Sequence, residues 1–149
     1  MSDVQKLIFN MPLFNMPLSR VVKNNGLGVL KNKNFENLLL PDEYLNLLQW
    51  SNGGQIKFPK TLFLFYAYED LKEVNESYKV QFYLSENFLC IGSDGGSIAF
   101  ILDYSNSDVP AFSSVNFGDL DINEVKRLGD SFEDGFRLMF EGAIDSTIL

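Results

Sequence analysis

The stretch Phe88-Leu89-Cys90-Ile91-Gly92-Ser93-Asp94-Gly95-Gly96-Ser97-Ile98-Ala99-Phe100-Ile101-Leu102-Asp103 decides the fold. Two apolar runs flank Asp94-Gly95, and Asp-Gly tolerates the positive φ angles of tight hairpin turns, so the pattern predicts a β-hairpin. The second run is apolar at five successive positions, Ile98 to Leu102, which predicts a central strand buried on both faces. Upstream, Leu62-Phe63-Leu64-Phe65-Tyr66-Ala67 reads as another strand. Tyr68 to Tyr78 then reads as a short polar helix with Leu71 and Val74 facing inward. Downstream, Pro110 to Val115 reads as a further strand.

Helices bracket these strands. In Leu40-Pro41-Asp42-Glu43-Tyr44-Leu45-Asn46-Leu47-Leu48-Gln49-Trp50 the proline suits the first turn, where its missing N–H needs no partner. Asp42 and Glu43 suit the positive end of the helix dipole. Tyr44, Leu45, Leu47 and Leu48 form one apolar face, and Asn52-Gly53-Gly54 is expected to stop the helix by a left-handed glycine cap. Near the C-terminus, Ser131-Phe132-Glu133-Asp134 resembles a capping box. Phe132, Phe136, Met139, Phe140 and Ala143 follow at helical spacing. The order helix, strand, helix, hairpin, strand, helix predicts a single α+β domain, a largely antiparallel sheet with flanking helices. A chain of 149 residues suits one such domain. We place it at residues 35–149, after an arm of residues 1–34. That arm repeats Phe9-Asn10-Met11-Pro12-Leu13 as Phe14-Asn15-Met16-Pro17-Leu18. Ten residues are too few for a solenoid, so the repeat is a local duplication or a sticky apolar arm.

Composition removes whole classes of function. With 46% hydrophobic and 14% aromatic residues, wholesale disorder is excluded. The chain has no histidine, so Ser-His-Asp and Cys-His triads, His-ligated zinc and His general bases are unavailable. A single cysteine, Cys90, excludes an internal disulfide and any Cys-only metal site, as suits a reducing compartment. The net charge of −8 argues against direct nucleic-acid binding. It is also uneven: residues 61–149 hold sixteen acidic and five basic side chains, which would draw a basic partner. No apolar run approaches the ~20 residues of a spanning helix, and the opening segment lacks the basic start and cleavage site of a signal peptide. The expectation is a cytoplasmic protein without a membrane partner.

Each place where chemistry could reside has a plainer account. Asp119-Leu120-Asp121-Ile122-Asn123-Glu124 starts like a calcium loop, but Glu124 stands where that loop needs glycine, so polar capping before the last helix explains it. Gly92-Ser93-Asp94-Gly95-Gly96 leads into a strand and offers no helix N-terminus to a phosphate. Asp94, Asp103, Asp119 and Asp121 could approach one another, although no spacing marks a catalytic pair. Cys90 lies in an apolar strand, where a thiol is a small hydrophobe with a raised pKa. Trp50, at a helix end, is a core residue or a binding anchor.

Three segments in this order resemble the SUKH superfamily, in particular the branch named for the Smi and Knr cell-wall regulators of yeast. They are Leu40-Pro41-Asp42-Glu43-Tyr44 through Asn52-Gly53-Gly54, then Ile91-Gly92-Ser93-Asp94-Gly95-Gly96 through Asp103, and lastly Ser131-Phe132. The resemblance spans about residues 35 to 142, and Ser97 stands where a further glycine is common. It implies a non-enzymatic immunity protein that binds a cognate, basic protein toxin and covers its active site, with no cofactor and no metal. For a nuclease toxin, carboxylates mimicking nucleic acid would steer association, with Asp94, Asp103, Asp119 and Asp121 as candidates and Trp50 as anchor. The eukaryotic branch implies instead a scaffold or regulator that binds host proteins. An enzyme is the third reading, and it would need a cleft of carboxylates with raised pKa values.

Overall fold

The structure, a computed structural model, describes residues 34–149. The duplicated segment at residues 9–18 and the Asn- and Gly-rich stretches before residue 34 lie outside the described residues. A small hairpin, β1 (Asn34–Phe35) and β2 (Leu38–Leu39), precedes α1 (Asp42–Trp50). Then come β3 (Gly54–Lys57), β4 (Leu62–Phe65), α2 (Leu71–Ser77) and α3 (Val80–Tyr83). The central hairpin is β5 (Phe88–Ser93) and β6 (Ile98–Asp103), followed by β7 (Ala111–Asn116), β8 (Lys126–Gly129) and α4 (Phe132–Phe140). β3 to β8 form one six-stranded sheet in sequence order, every pair antiparallel.

The central position of β6 is as its unbroken apolar run predicts. Ile98, Phe100 and Leu102 enter the larger core under α1 and α4, while Ala99 and Ile101 enter a second core under α2 and α3. The larger core is an aromatic lattice. Phe100 stacks on Phe112 at 5.4 Å, and Phe63 and Phe132 meet Phe112 edge-on at 6.2 and 6.0 Å. Phe132, Phe136 and Met139 of α4 are fully buried in it. The helix comes this close because Gly135 has no side chain: a Cβ there would fall 2.3 Å from the Phe112 ring. Ser131 caps α4, its hydroxyl accepting from the Asp134 N–H at 3.1 Å. Ala143 does not continue the stripe, because α4 ends at Phe140 and Gly142 turns the chain away at φ +77°.

Several elements differ from expectation. The edge strands β3 and β8 are short and half polar, Gly-Gln-Ile-Lys and Lys-Arg-Leu-Gly, so neither carries a strand signature. Pro41 sits at the N-cap of α1 rather than inside its first turn. The cap after α1 is also different: Ser51 is extended, and the positive φ angles fall at Gly53 (+96°) and Gly54 (+146°), where the chain turns into β3. In the hairpin loop only Gly95 is left-handed (φ +85°), and four residues connect the strands. Asp94 holds that loop through its carboxylate, which accepts from the N–H groups of Gly96 (2.9 Å) and Ile98 (3.2 Å). In α2 the buried residues are Leu71 and Asn75, while Val74 is only half-buried.

Asn75 explains how β5 is completed. β4 pairs with β5 only at Leu64–Ser93 and Phe65–Gly92, then leaves the sheet for α2. This leaves the edge of β5 at Phe88 and Cys90 without a strand. The Asn75 amide takes its place, accepting from the Cys90 N–H at 2.8 Å and donating to the Cys90 carbonyl at 2.9 Å. Gln81 donates to the Phe88 carbonyl at 2.7 Å and to Asn75 Oδ1 at 3.0 Å. Two side-chain amides thus do the hydrogen bonding of a missing strand, as buried backbone groups require.

Candidate functional site

The register sorts the candidate residues into two groups. β5 ends, β6 begins and β7 ends at what we term the hairpin end, since Ser93 pairs with Ala99 and Ile98 with Asn116. Asp94 lies there, together with Asp119 and Asp121 in the β7–β8 connection. Asp103 lies at the opposite end, paired with Phe88 and Ala111. Five residues of extended chain, about 17 Å, separate it from Ile98. Trp50 ends α1 just before β3, whose Gly54 pairs with Phe65, itself paired with Gly92. The expectation that Asp103 joins the other three carboxylates is therefore corrected: a strand's length intervenes.

Three of the four carboxylates have a local task. Asp94 ties the hairpin loop, and Asp121 accepts from the Asn123 N–H at 2.9 Å to cap a single helical turn at Ile122–Glu124. The expected capping before the last helix is thus a cap on this turn instead, since β8 intervenes and Ser131 caps α4. Asp103 accepts from the N–H and hydroxyl of Ser105. Asp119 opens into a small cleft of about 140 Å³ shared with Glu124 and Lys126. Among the described residues no group of three or more Cys, Asp or Glu side chains is placed to hold a metal ion. Trp50 is half-buried and packs against the larger core.

The turn residues quoted for the resemblance are explained by close packing. Asn52 is buried and joins two segments: its Oδ1 accepts from the Tyr68 N–H at 2.8 Å, and its Nδ2 donates to Glu69 at 2.7 Å. A Cβ on Gly92 would sit 2.3 Å from the Leu64 carbonyl oxygen, so only glycine lets β4 reach the bulge in β5. Leu40, Tyr44 and Ile91 are core residues. The Cys90 thiol is pushed up to about 12, first by burial, and is protonated at neutral pH. It is an unreactive filler of the second core.

The sequence that carries these residues matches one family description. It is the SMI1/KNR4 family (SUKH-1), matched over residues 32–137. The chain belongs to this family. No curated protein matches the chain. The SUKH-1 match covers α1, the whole β-sheet and most of α4, so the family pattern is the described fold itself.

Sequence reasoning missed the aromatic residues that do stand beside the acidic end. Phe117, just after β7, donates its N–H to the Ser97 carbonyl at 2.8 Å, which ties the β7–β8 connection to the hairpin loop. Its ring stacks on Tyr78 at 4.2 Å. Beyond Tyr78, Phe82 and Tyr83 are exposed by 79% and 53%. The period of so short a helix is not legible from sequence, so which of its aromatics face out could not be told. No described helix is long and apolar enough to cross a membrane.

Proposed function

We propose that this SUKH-1 protein is a cytoplasmic immunity protein that neutralises a basic protein toxin by binding it. The observation that carries this reading is the grouping of Asp94, Asp119 and Asp121 on the loops of one sheet end, in a chain of net charge −8. Such a surface speeds encounter with a basic partner and repels nucleic acid itself. Binding rather than catalysis is supported by the employment of the Asp94 and Asp121 carboxylates as loop tie and cap, and by the protonated Cys90.

The test is co-expression with the toxic domain encoded beside its gene, read as growth. Rescue by the wild type, with loss of association rate and of its salt dependence in the double variant Asp119→Lys, Asp121→Lys, supports the reading. Unchanged rates would remove acidic steering at this end. Absence of rescue, with stable retention of housekeeping proteins by the purified chain, would favour the scaffold role that membership of the SMI1/KNR4 family also supports.

A further inference from the structure

We infer that the partner docks on the α2–α3 face and is gripped there through its arginine and lysine side chains by exposed aromatic rings. This rests on the protein-binding reading above and names its surface. Phe82 and Tyr83 meet edge-on at 5.0 Å and project from α3, whose inward residue Val80 fills the second core. Tyr78, 45% exposed, continues the aromatic surface to Phe117 and so to the acidic β7–β8 connection. On the other flank lies a groove of about 420 Å³ between the β1–β2 hairpin and α2–α3, whose charged lining is Glu36, Glu76 and Glu86 with Lys72.

Three exposed aromatics close together on so acidic a protein are a surface awaiting a partner. Charge selects the occupant. Residues 71–87 and 117–125 carry six carboxylates against Lys72 and Lys79. A second copy of this chain would bring a like-charged face, whereas a basic protein brings guanidinium and ammonium groups, which stack on aromatic rings and pair with the carboxylates beside them. Tyrosine is also among the residues on which interface energy concentrates.

The experiment uses octa-arginine as a defined basic probe, titrated at 50 mM salt into the isotopically labelled full chain and followed by amide NMR. We expect shifts concentrated at residues 76–86 and 117–124, and affinity at least fivefold lower in the double variant Phe82→Ser, Tyr83→Ser, whose thermal midpoint stays at the wild-type value. Shifts spread over all acidic surface, shifts centred on Trp50 and Asp103, unchanged affinity in the variant, or no binding would each overturn the inference. In the growth assay the same variant should lose rescue while Trp50→Phe keeps it. Failure of the wild type to rescue would defeat the immunity reading alone, leaving the surface to be decided by the peptide titration.

Discussion

Replacing Asn75 with leucine tests the account of how β5 is completed. Leucine has the same branched outline and number of side-chain heavy atoms as asparagine, so the site stays filled while the hydrogen bonding is lost, and any crowding by its bulkier methyl groups adds to the loss. The Cys90 N–H and carbonyl, both buried against α2, would then have no partner. Each such group costs about 1–3 kcal/mol when left unpaired, and the freed Gln81 recovers part of this at most, giving about 3 kcal/mol. Over the 116 described residues the unfolding entropy near the midpoint is about 0.24 kcal/mol/K, so the thermal midpoint should fall by about 12 °C. Urea unfolding followed by the fluorescence of Trp50, the single tryptophan, reads the change directly. Amide exchange at Cys90 should accelerate with it. A variant within 1 kcal/mol of wild type would refute the reasoning, because the edge of β5 would then be satisfied in some other way. Asn75→Asp adds a pH signature. Its carboxylate would face the Cys90 and Leu71 carbonyls, which raises its folded pKa. The variant should therefore be least harmed below about pH 4, where the group is protonated in both states, and lose stability as pH rises.

Three further outcomes follow from other sites. Gly92→Ala drives a methyl group into the Leu64 carbonyl oxygen and should cost at least about 3 kcal/mol in urea unfolding; a loss under 1 kcal/mol would mean that β4 and β5 separate freely. The hydroxyl of Tyr44 is buried without a hydrogen-bond partner among the described residues, so Tyr44→Phe should raise stability by about 1 kcal/mol, and a fall would contradict this. Burial lifts the Cys90 thiol from 9.0 to about 12, so the stability it lends is whole below pH 9 and drains as pH climbs toward 12. Cys90→Ala should show a shallower alkaline decline than wild type, and native Cys90 should resist a thiol reagent at pH 8 until denaturant is added.

What the sequence disclosed was whatever a single segment encodes. The apolar run of β6, the face of α1 and the Ser131 cap each carry their signal within ten residues, and each appears where that signal places it. The rest depends on partners far along the chain. Asn75 reads as a solvent residue of a polar helix until β4 is seen to end early and leave Cys90 needing an amide. β3 and β8 owe their place to register with neighbours and not to their own composition. The candidate group divides for the same reason: the four aspartates are sorted by strand direction, which leaves Asp94, Asp119 and Asp121 at one end of the sheet and sends Asp103 to the other.

The α2–α3 segment divides its work by face, and the division bears on how such a protein can change partner. Asn75, Gln81, Val80 and Leu84 turn inward to finish the edge of β5 and the second core. Phe82 and Tyr83 lie among them in sequence yet touch neither task, so their replacement should leave stability within about 0.5 kcal/mol of wild type. A binding surface built this way can be rewritten without disturbing the fold beneath it. Combining Phe82→Ser with Asn75→Leu makes the point measurable: the stability loss should equal that of Asn75→Leu alone. A further loss of more than 0.5 kcal/mol would show that the exposed aromatics help hold α3 in place, and that surface and scaffold are not separable here.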